Sequence, residues 1–215
     1  MRIFIVLFIV LLVVLAVYPF LKPSENKETL TGMPWQIEIL PDGSTRVFGI
    51  KIGTSQLYGV IAVLGSNMEL AIVASNDEAG NLEMYYGDYQ AGLLSGKLVL
   101  QTDASQLDIQ RWRDNAVKSE FMASGKAKKY TLSNDDVTQA LKETVTGISF
   151  IPAVNLDEEV ILARFDEPEK RIQLTGVTHF LYPAKGLDIA LYDDSKEVLQ
   201  YVAPEAFQQL MEPLQ

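Results

Sequence analysis

Apolar and polar residues fall into three regimes along the chain. From Ile3 to Leu21, IFIVLFIVLLVVLAVYPFL, 19 consecutive positions carry no charge. As a helix rising ~1.5 Å per residue the run is about 28 Å long, close to the hydrocarbon thickness of a bilayer. Secretory leaders have shorter apolar regions, about 7–15 residues, and end in small residues. This run ends in Val17, Tyr18, Pro19 and Phe20 without an Ala-x-Ala site. Residues 1–21 therefore read as an uncleaved transmembrane anchor rather than a signal peptide, with Tyr18 and Phe20 in the interfacial belt. Residues 22–34, KPSENKETLTGMP, are polar and proline-punctuated, which predicts a stalk. Arg2 precedes the apolar run and Lys22 and Lys27 follow it, a weak orientation signal. An anchor with so short a leader is expected to insert with the following body exported, which in a bacterium means the periplasmic side of the inner membrane.

Beyond residue 35 the periods are those of strands and amphipathic helices. WQIEILPDGSTRVFGI alternates on both sides of Pro41-Asp42-Gly43-Ser44 and predicts a hairpin. Thr54 is placed to cap a helix with Leu57, Val60, Ile61 and Leu64 on one side and Gly65 as its stop. Strand-like runs follow at Glu69–Ala74, Leu82–Tyr89 and Lys97–Thr102. Ser105 and Asp108 then form a capping-box pattern for a helix burying Ile109, Trp112 and Ala116. A similar order recurs later. Asp157 caps a helix with Val160, Ile161, Arg164 and Phe165, ended by Pro168. Runs at Arg171–Tyr182, Leu187–Tyr192 and Glu197–Val202 come next, and Pro204 opens a helix with Phe207, Leu210, Met211 and Leu214. The recurrence suggests two helix-strand-strand-strand-helix units, residues 35–123 and 133–215. Residues 124–132, which include SGKAKK, read as a small basic linker, and Ser133 starts an additional helix with Val137, Ala140, Leu141 and Thr144 on one side. The expected fold class is α+β, with antiparallel sheet packed on one face by helices and a concave face left over.

Composition narrows the chemistry. A hydrophobic content of 48% in 215 residues suffices for a sizeable core. No cysteine is present, which excludes disulfides, thiolate catalysis and cysteine-held metals. The net charge of −10 makes a surface that repels nucleic acid, so no nucleic-acid partner is expected.

Gly53-Thr54 followed by Val60, Leu64 and Gly65 resembles the opening of the repeat unit in small outer-membrane assembly lipoproteins of the SmpA/OmlA type, which share helix-and-sheet units with the β-lactamase inhibitor protein. The run from Phe165 through Pro168, Phe180 and Tyr182 to Gly186-Leu187-Asp188-Ile189 is similar to the later part of that pattern. The chain departs from it in lacking the lipidated cysteine, in placing Asp166 where a Gly is expected, and in placing Asn67 after Gly65 where a Pro is usual. The resemblance implies a periplasmic binding or assembly module that works through protein contacts. The whole chain also looks like uncharacterised membrane-anchored envelope proteins of bacteria.

Candidate chemistry is sparse. His179, the single histidine, is a general base only if a nucleophile and an orienting carboxylate converge on it. Its alternation with Phe180 places it more simply on one side of a strand. Ser24-x-x-Lys27 lies in the stalk, and Ser75 to Gly80 matches a calcium loop poorly. Acidic residues at Asp157-Glu158-Glu159, Asp166-Glu167 and Asp193-Asp194 sit at caps and turns that attract acids for local reasons. Trp35, Trp112, Tyr85, Tyr86, Tyr182 and Tyr201 supply aromatic surface. No catalytic, cofactor or metal residue is assigned. The expectation is a non-catalytic envelope assembly factor or accessory subunit that binds another envelope or inner-membrane protein, with the bilayer as partner of residues 3–21. The alternatives are a module binding lipid or another apolar ligand in the concavity, and a hydrolase using His179.

Overall fold

The computed structural model describes residues 31–75, 78–123 and 125–214. The expected anchor 1–21 and most of the stalk lie outside these residues, and no described helix is long and apolar enough to cross a membrane. Residues 31–215 form one unit, an α+β fold of two antiparallel sheets. The smaller sheet is β1 (Glu38–Ile39), β2 (Thr45–Val47) and β3 (Ile50–Lys51). Its first turn is the predicted one through Pro41 to Ser44. Its second is Phe48-Gly49, with φ of 52° and 79°, the conformation that two-residue hairpins usually reserve for Asn-Gly. Phe48 holds it because its ring packs at 5.6 Å against each of Tyr89, Phe150 and Tyr201.

The larger sheet has ten strands. They are β4 (Glu69–Ser75), β5 (Asn81–Ala91), β6 (Leu94–Thr102), β7 (Lys118–Phe121), β8 (Ala127–Thr131), β9 (Val145–Pro152), β10 (Lys170–Leu174), β11 (Val177–Tyr182), β12 (Leu187–Tyr192) and β13 (Val198–Val202). Their order in space is β10-β11-β12-β13-β9-β6-β5-β4-β8-β7. The stretches read as separate units thus share one sheet, joined where β6 pairs with β9. Side chains alternate faces along a strand, so register partners share a face. Two rows run unbroken across six strands: Met84, Leu100, Ile148, Tyr201, Leu187, Tyr182, and Tyr86, Leu98, Phe150, Leu199, Ile189, Phe180. All twelve are buried in one core.

The helices α1 (Leu57–Leu64), α2 (Gln106–Asp114), α3 (Asn134–Ala140) and α4 (Glu158–Phe165) feed the same core through Leu57 and Val60, Ile109 and Trp112, Ala140, and Ile161 and Phe165. Ser105, Ser133 and Asp157 cap α2, α3 and α4 as expected, each accepting from the backbone N–H three residues on. Thr54 does not cap α1. The helix starts after Gln56, and its first N–H groups donate to segment 141–143, Leu57 to Glu143 and Tyr58 to Leu141 at 3.1 and 2.9 Å. Orphan donors satisfied by a neighbouring chain need no side-chain cap.

Four further expectations are corrected. Residues 124–132 are not a linker, because β8 within them pairs with both β4 and β7. Its lysines are accommodated by partners: Lys129 bridges Glu69 and Glu120, and Lys128 lies 4.6 Å over the Phe121 ring. Arg171–Tyr182 is a hairpin rather than one strand, since Thr175-Gly176, with Gly176 at φ 78°, turns β10 back into β11. The end of the predicted stalk belongs to the fold, with Met33 buried and the Pro34 carbonyl accepting from Tyr201 Oη at 2.9 Å. The last helix is broken into a 3-10 turn at Pro204–Ala206, α5 (Gln208–Met211) and a second 3-10 turn at Glu212–Leu214; Pro213 cannot extend a helix.

Two segments are built alike. α1 and α4 each have eight residues and end on a residue with positive φ and extended ψ, Gly65 at 91° and 173°, Asp166 at 70° and −175°. In each case a tyrosine from the second following strand donates to that residue's carbonyl: Tyr86 Oη to Gly65 O and Tyr182 Oη to Asp166 O, both at 2.9 Å. Burial raises both phenols, Tyr182 to about 12, so they remain donors. Each helix leads into a three-strand meander, β4-β5-β6 and β10-β11-β12. β13, Val198–Val202, is thus a fourth, additional strand in the later segment.

Asp166 occupies backbone space that only glycine enters without strain, at a cost of roughly 1–3 kcal/mol. Its exposed ion pair with Lys185 at 3.1 Å returns little. Asp166→Gly is expected to stabilise the protein by about 1 kcal/mol, and Gly65→Ala to destabilise it by at least as much; urea unfolding midpoints of the two variants moving in opposite directions is the check.

Candidate binding cleft

The face of the sheet opposite the four helices differs between its halves. Over β11 and β12 the residues Val177, His179, Leu181, Asp188 and Ala190 are buried. Over β4 to β8 it forms a cleft of about 510 Å³. Its floor is Ala71 and Val73 from β4, Glu83 and Tyr85 from β5, and Lys97 and Val99 from β6; its wall is Glu120, Phe121, Met122 and Ala123, running out of β7. β6 and β7 are four strand pairings apart, ~19 Å in a flat sheet at about 4.8 Å per strand. Both line the cleft, so the sheet curls here.

Charge around the cleft is mostly paired. Lys129 Nζ lies 2.9 Å from Glu69 and 3.2 Å from Glu120, and Lys118 lies 2.6 Å from Glu120. The hydrogen bond from Lys118, then that from Lys129, hold the Glu120 carboxyl below the ordinary range. Glu83 is the exception. It is half-buried, makes no hydrogen bond or ion pair with any described residue, and desolvation pushes its carboxyl up.

His179 is where the register places it, one residue before Phe180 and on the other face. Its Nδ1 is 2.8 Å from Asp188 Oδ2, and both side chains are buried, at 7% and 1% exposure. Burial raises the Asp188 carboxyl and His179 partly offsets this; the other oxygen, Oδ1, is buried without a hydrogen-bond partner among the described residues. An imidazole oriented by a carboxylate is two parts of a nucleophilic triad, but no hydroxyl is hydrogen-bonded to His179 among the described residues. Ser149, on the same face, is three strands away, ~14 Å at the strand spacing and beyond proton-transfer reach.

The equivalence of Tyr86 and Tyr182 aligns the two halves on this face as well. Three residues before them stand Glu83 and His179. Their direct cross-strand partners are Gln101 and Ala190, and two residues before those stand Val99 and Asp188. The position that holds the carboxylate partner of His179 therefore holds a valine beside Glu83.

The acidic pairs of the sequence have local employment. Asp157 caps α4 at 2.8 Å, Glu158 and Glu167 both bind Arg171 at 2.6 and 3.1 Å, and Asp193-Asp194 lie exposed in the β12–β13 connection. No group of three or more ligand-type side chains among the described residues is arranged to hold a metal ion. In the β4–β5 connection the carbonyls of Glu78 and Ala79 accept from Arg113 at 3.0 and 2.6 Å. Ser24 and Lys27 lie outside the described residues. Of the aromatic candidates, Trp112 and Tyr201 are core, Trp35 packs on Phe165 at 6.2 Å, and Tyr85 alone lines the cleft. Sequence reading missed Glu83; the alternation of Glu83 with buried Leu82 and Met84 was its visible trace. No known protein family, curated protein or solved structure matches the chain.

Two outcomes follow from these environments. A carboxyl raised on folding is bound more tightly to its proton in the native state, so the contribution of Glu83 to stability is present below its ordinary value near 4.5 and is lost as pH rises through the raised one. Glu83→Gln is therefore expected to be more stable than the natural chain at pH 7, with the gap closing by pH 4, in urea unfolding at the two pH values. His179→Ala strands the buried Asp188 carboxylate and is expected to cost about 3 kcal/mol or more, whereas His179→Leu combined with Asp188→Val loses much less; a double-mutant cycle measures the difference.

Proposed function

We propose that the protein is a non-catalytic binding module, tethered to the bacterial inner membrane by residues 3–21 with its sheet domain in the periplasm, where it engages another envelope or inner-membrane protein as an assembly factor or accessory subunit. The observation that carries this reading is the wall of the cleft. β7 is an edge strand among the described residues, and Phe121 at its end is 62% exposed, with Val117 and Met122 flanking the strand at 70% and 41%. Natural edge strands are usually kept short and charged, so apolar side chains along one mark a surface for a partner. Met122 N donates to Ala127 O at 2.9 Å. By antiparallel alternation the backbone groups of Glu120 and Lys118 also face β8, and those of Ser119 and Phe121 point to the side where no described strand pairs, available to an added strand.

Duplicated helix-and-meander units are what the SmpA/OmlA resemblance implies, and the matched ends of α1 and α4 support reading the chain that way. The cleft volume falls in the range of small-molecule sites, about 300–1,000 Å³, and favours a lipid or other apolar ligand as the second reading. The hydrolase reading draws no support from the surroundings of His179.

A photo-crosslinking residue at Phe121 is expected to give a discrete adduct in cells. The same residue at Leu107, a still more exposed site on α2, is expected to give none. Ser119→Pro, which removes an outward N–H without touching the β7–β8 ladder, is expected to abolish the adduct. Adducts of equal yield at both sites, or none at Phe121, count against the proposal, and lipid co-purifying with the protein while no adduct forms favours the second reading.

A further inference from the structure

The aligned halves of the sheet differ in one buried polar pair in a way that points to a ligand. In β11–β12 a ring nitrogen of His179 meets Asp188 at 2.8 Å; in β5–β6 the equivalent pair is Glu83 and Val99, and Glu83 has no partner among the described residues. A carboxylate half-removed from water without a donor is costly, and the cost is recovered when a donor arrives with the ligand. The neighbouring cations do not fill the role. Lys129 is committed to Glu69 and Glu120, and Lys97 is exposed and forms no ion pair among the described residues. Around Glu83 the floor is apolar, with Ala71, Val73 and Val99, and Tyr85 offers a ring edge or face to a cation. Methylene stems that carry a charged end fit such a surface. The chain's charge of −10 favours a basic partner.

We infer that the cleft receives a lysine or arginine side chain of the bound partner, its stem on the apolar floor and its ammonium or guanidinium group on Glu83. This rests on the cleft being the binding surface proposed above, and it adds the chemistry that the surface selects. The charged groups facing Glu83 from the surrounding strands are Glu69 on β4, Lys97 on β6, Glu120 on β7 and Lys129 on β8.

The test uses the full chain in detergent with methyl-labelled methionine, following the Met122 signal, assigned by Met122→Leu. The probes are Nα-acetyl-lysinamide and Nα-acetyl-norleucinamide, which share a stem and differ in the ammonium. The lysine probe is expected to shift the Met122 signal saturably, and the norleucine probe to bind at least about tenfold more weakly, as does the lysine probe to Glu83→Gln, the tenfold corresponding to loss of one charge-assisted hydrogen bond. Glu83→His combined with Val99→Asp, which copies the pair of the other half, is expected to bind neither probe while keeping the fold. Equal binding of the two probes, no response of Met122, or undiminished lysine binding by either variant overturns the inference. An adduct at Phe121 alongside any of these leaves the binding function standing and removes only the choice of ligand.

Discussion

The pairing of β6 with β9 is the contact on which the large sheet depends. It places Leu98 against Phe150 and Leu100 against Ile148 at the middle of both buried rows. Without it the strands before residue 103 and those after residue 144 are two smaller sheets, each with half a core. The register matters as much as the pairing, because sliding one strand by a single residue would carry every member of both rows to the opposite face. Phe48 braces the same place from above, its ring wedged against Phe150 of β9, Tyr89 of β5 and Tyr201 of β13. A bulky residue at positive φ is kept there because the aromatic contacts outweigh the local strain.

Against this frame the two faces have different work. The helix-bearing face is continuous and apolar, and it is where the sequence patterns of helix and strand agree. The other face is buried and internally paired around His179 and Asp188, but open around Glu83. The two halves thus have near-equivalent geometry and unequal chemistry: the pair His179–Asp188 is closed on itself, and Glu83 has Val99 beside it instead.

Much of this was legible in the chain. Ser105, Ser133 and Asp157 announced three helix starts, the alternation around Pro41 to Ser44 announced a hairpin, and Tyr182, Gly186 and Leu187 announced the β11–β12 turn, which the structure closes with a 3-10 turn at Pro183–Lys185. His179 was placed on a strand by its alternation with Phe180. What escaped depended on partners distant in sequence. SGKAKK reads as a linker until Glu69 and Glu120 are brought to Lys129, and Thr54 reads as a cap until segment 141–143 supplies the carbonyls that α1 requires. Thr175-Gly176 was a local signal overlooked within a long β-rich run. The cleft was invisible because curling of the sheet, unlike alternation, leaves no period in the sequence, and Glu83 differs from any exposed glutamate only through what fails to reach it.

Among the described residues the β7–β8 hairpin joins the rest of the sheet only through β4, over the five register pairs from Ala71–Thr131 to Ser75–Ala127. Its outer strand contributes no side chain to the main core. Such an appendage can part from the sheet without disturbing the buried rows, so the wall of the cleft has its own local stability, lower than that of the whole. Widening the groove for a bulky guest therefore requires releasing one short ladder together with the contacts of Tyr130 with Arg113 and of Lys129 with Glu69, while the buried rows beneath remain intact.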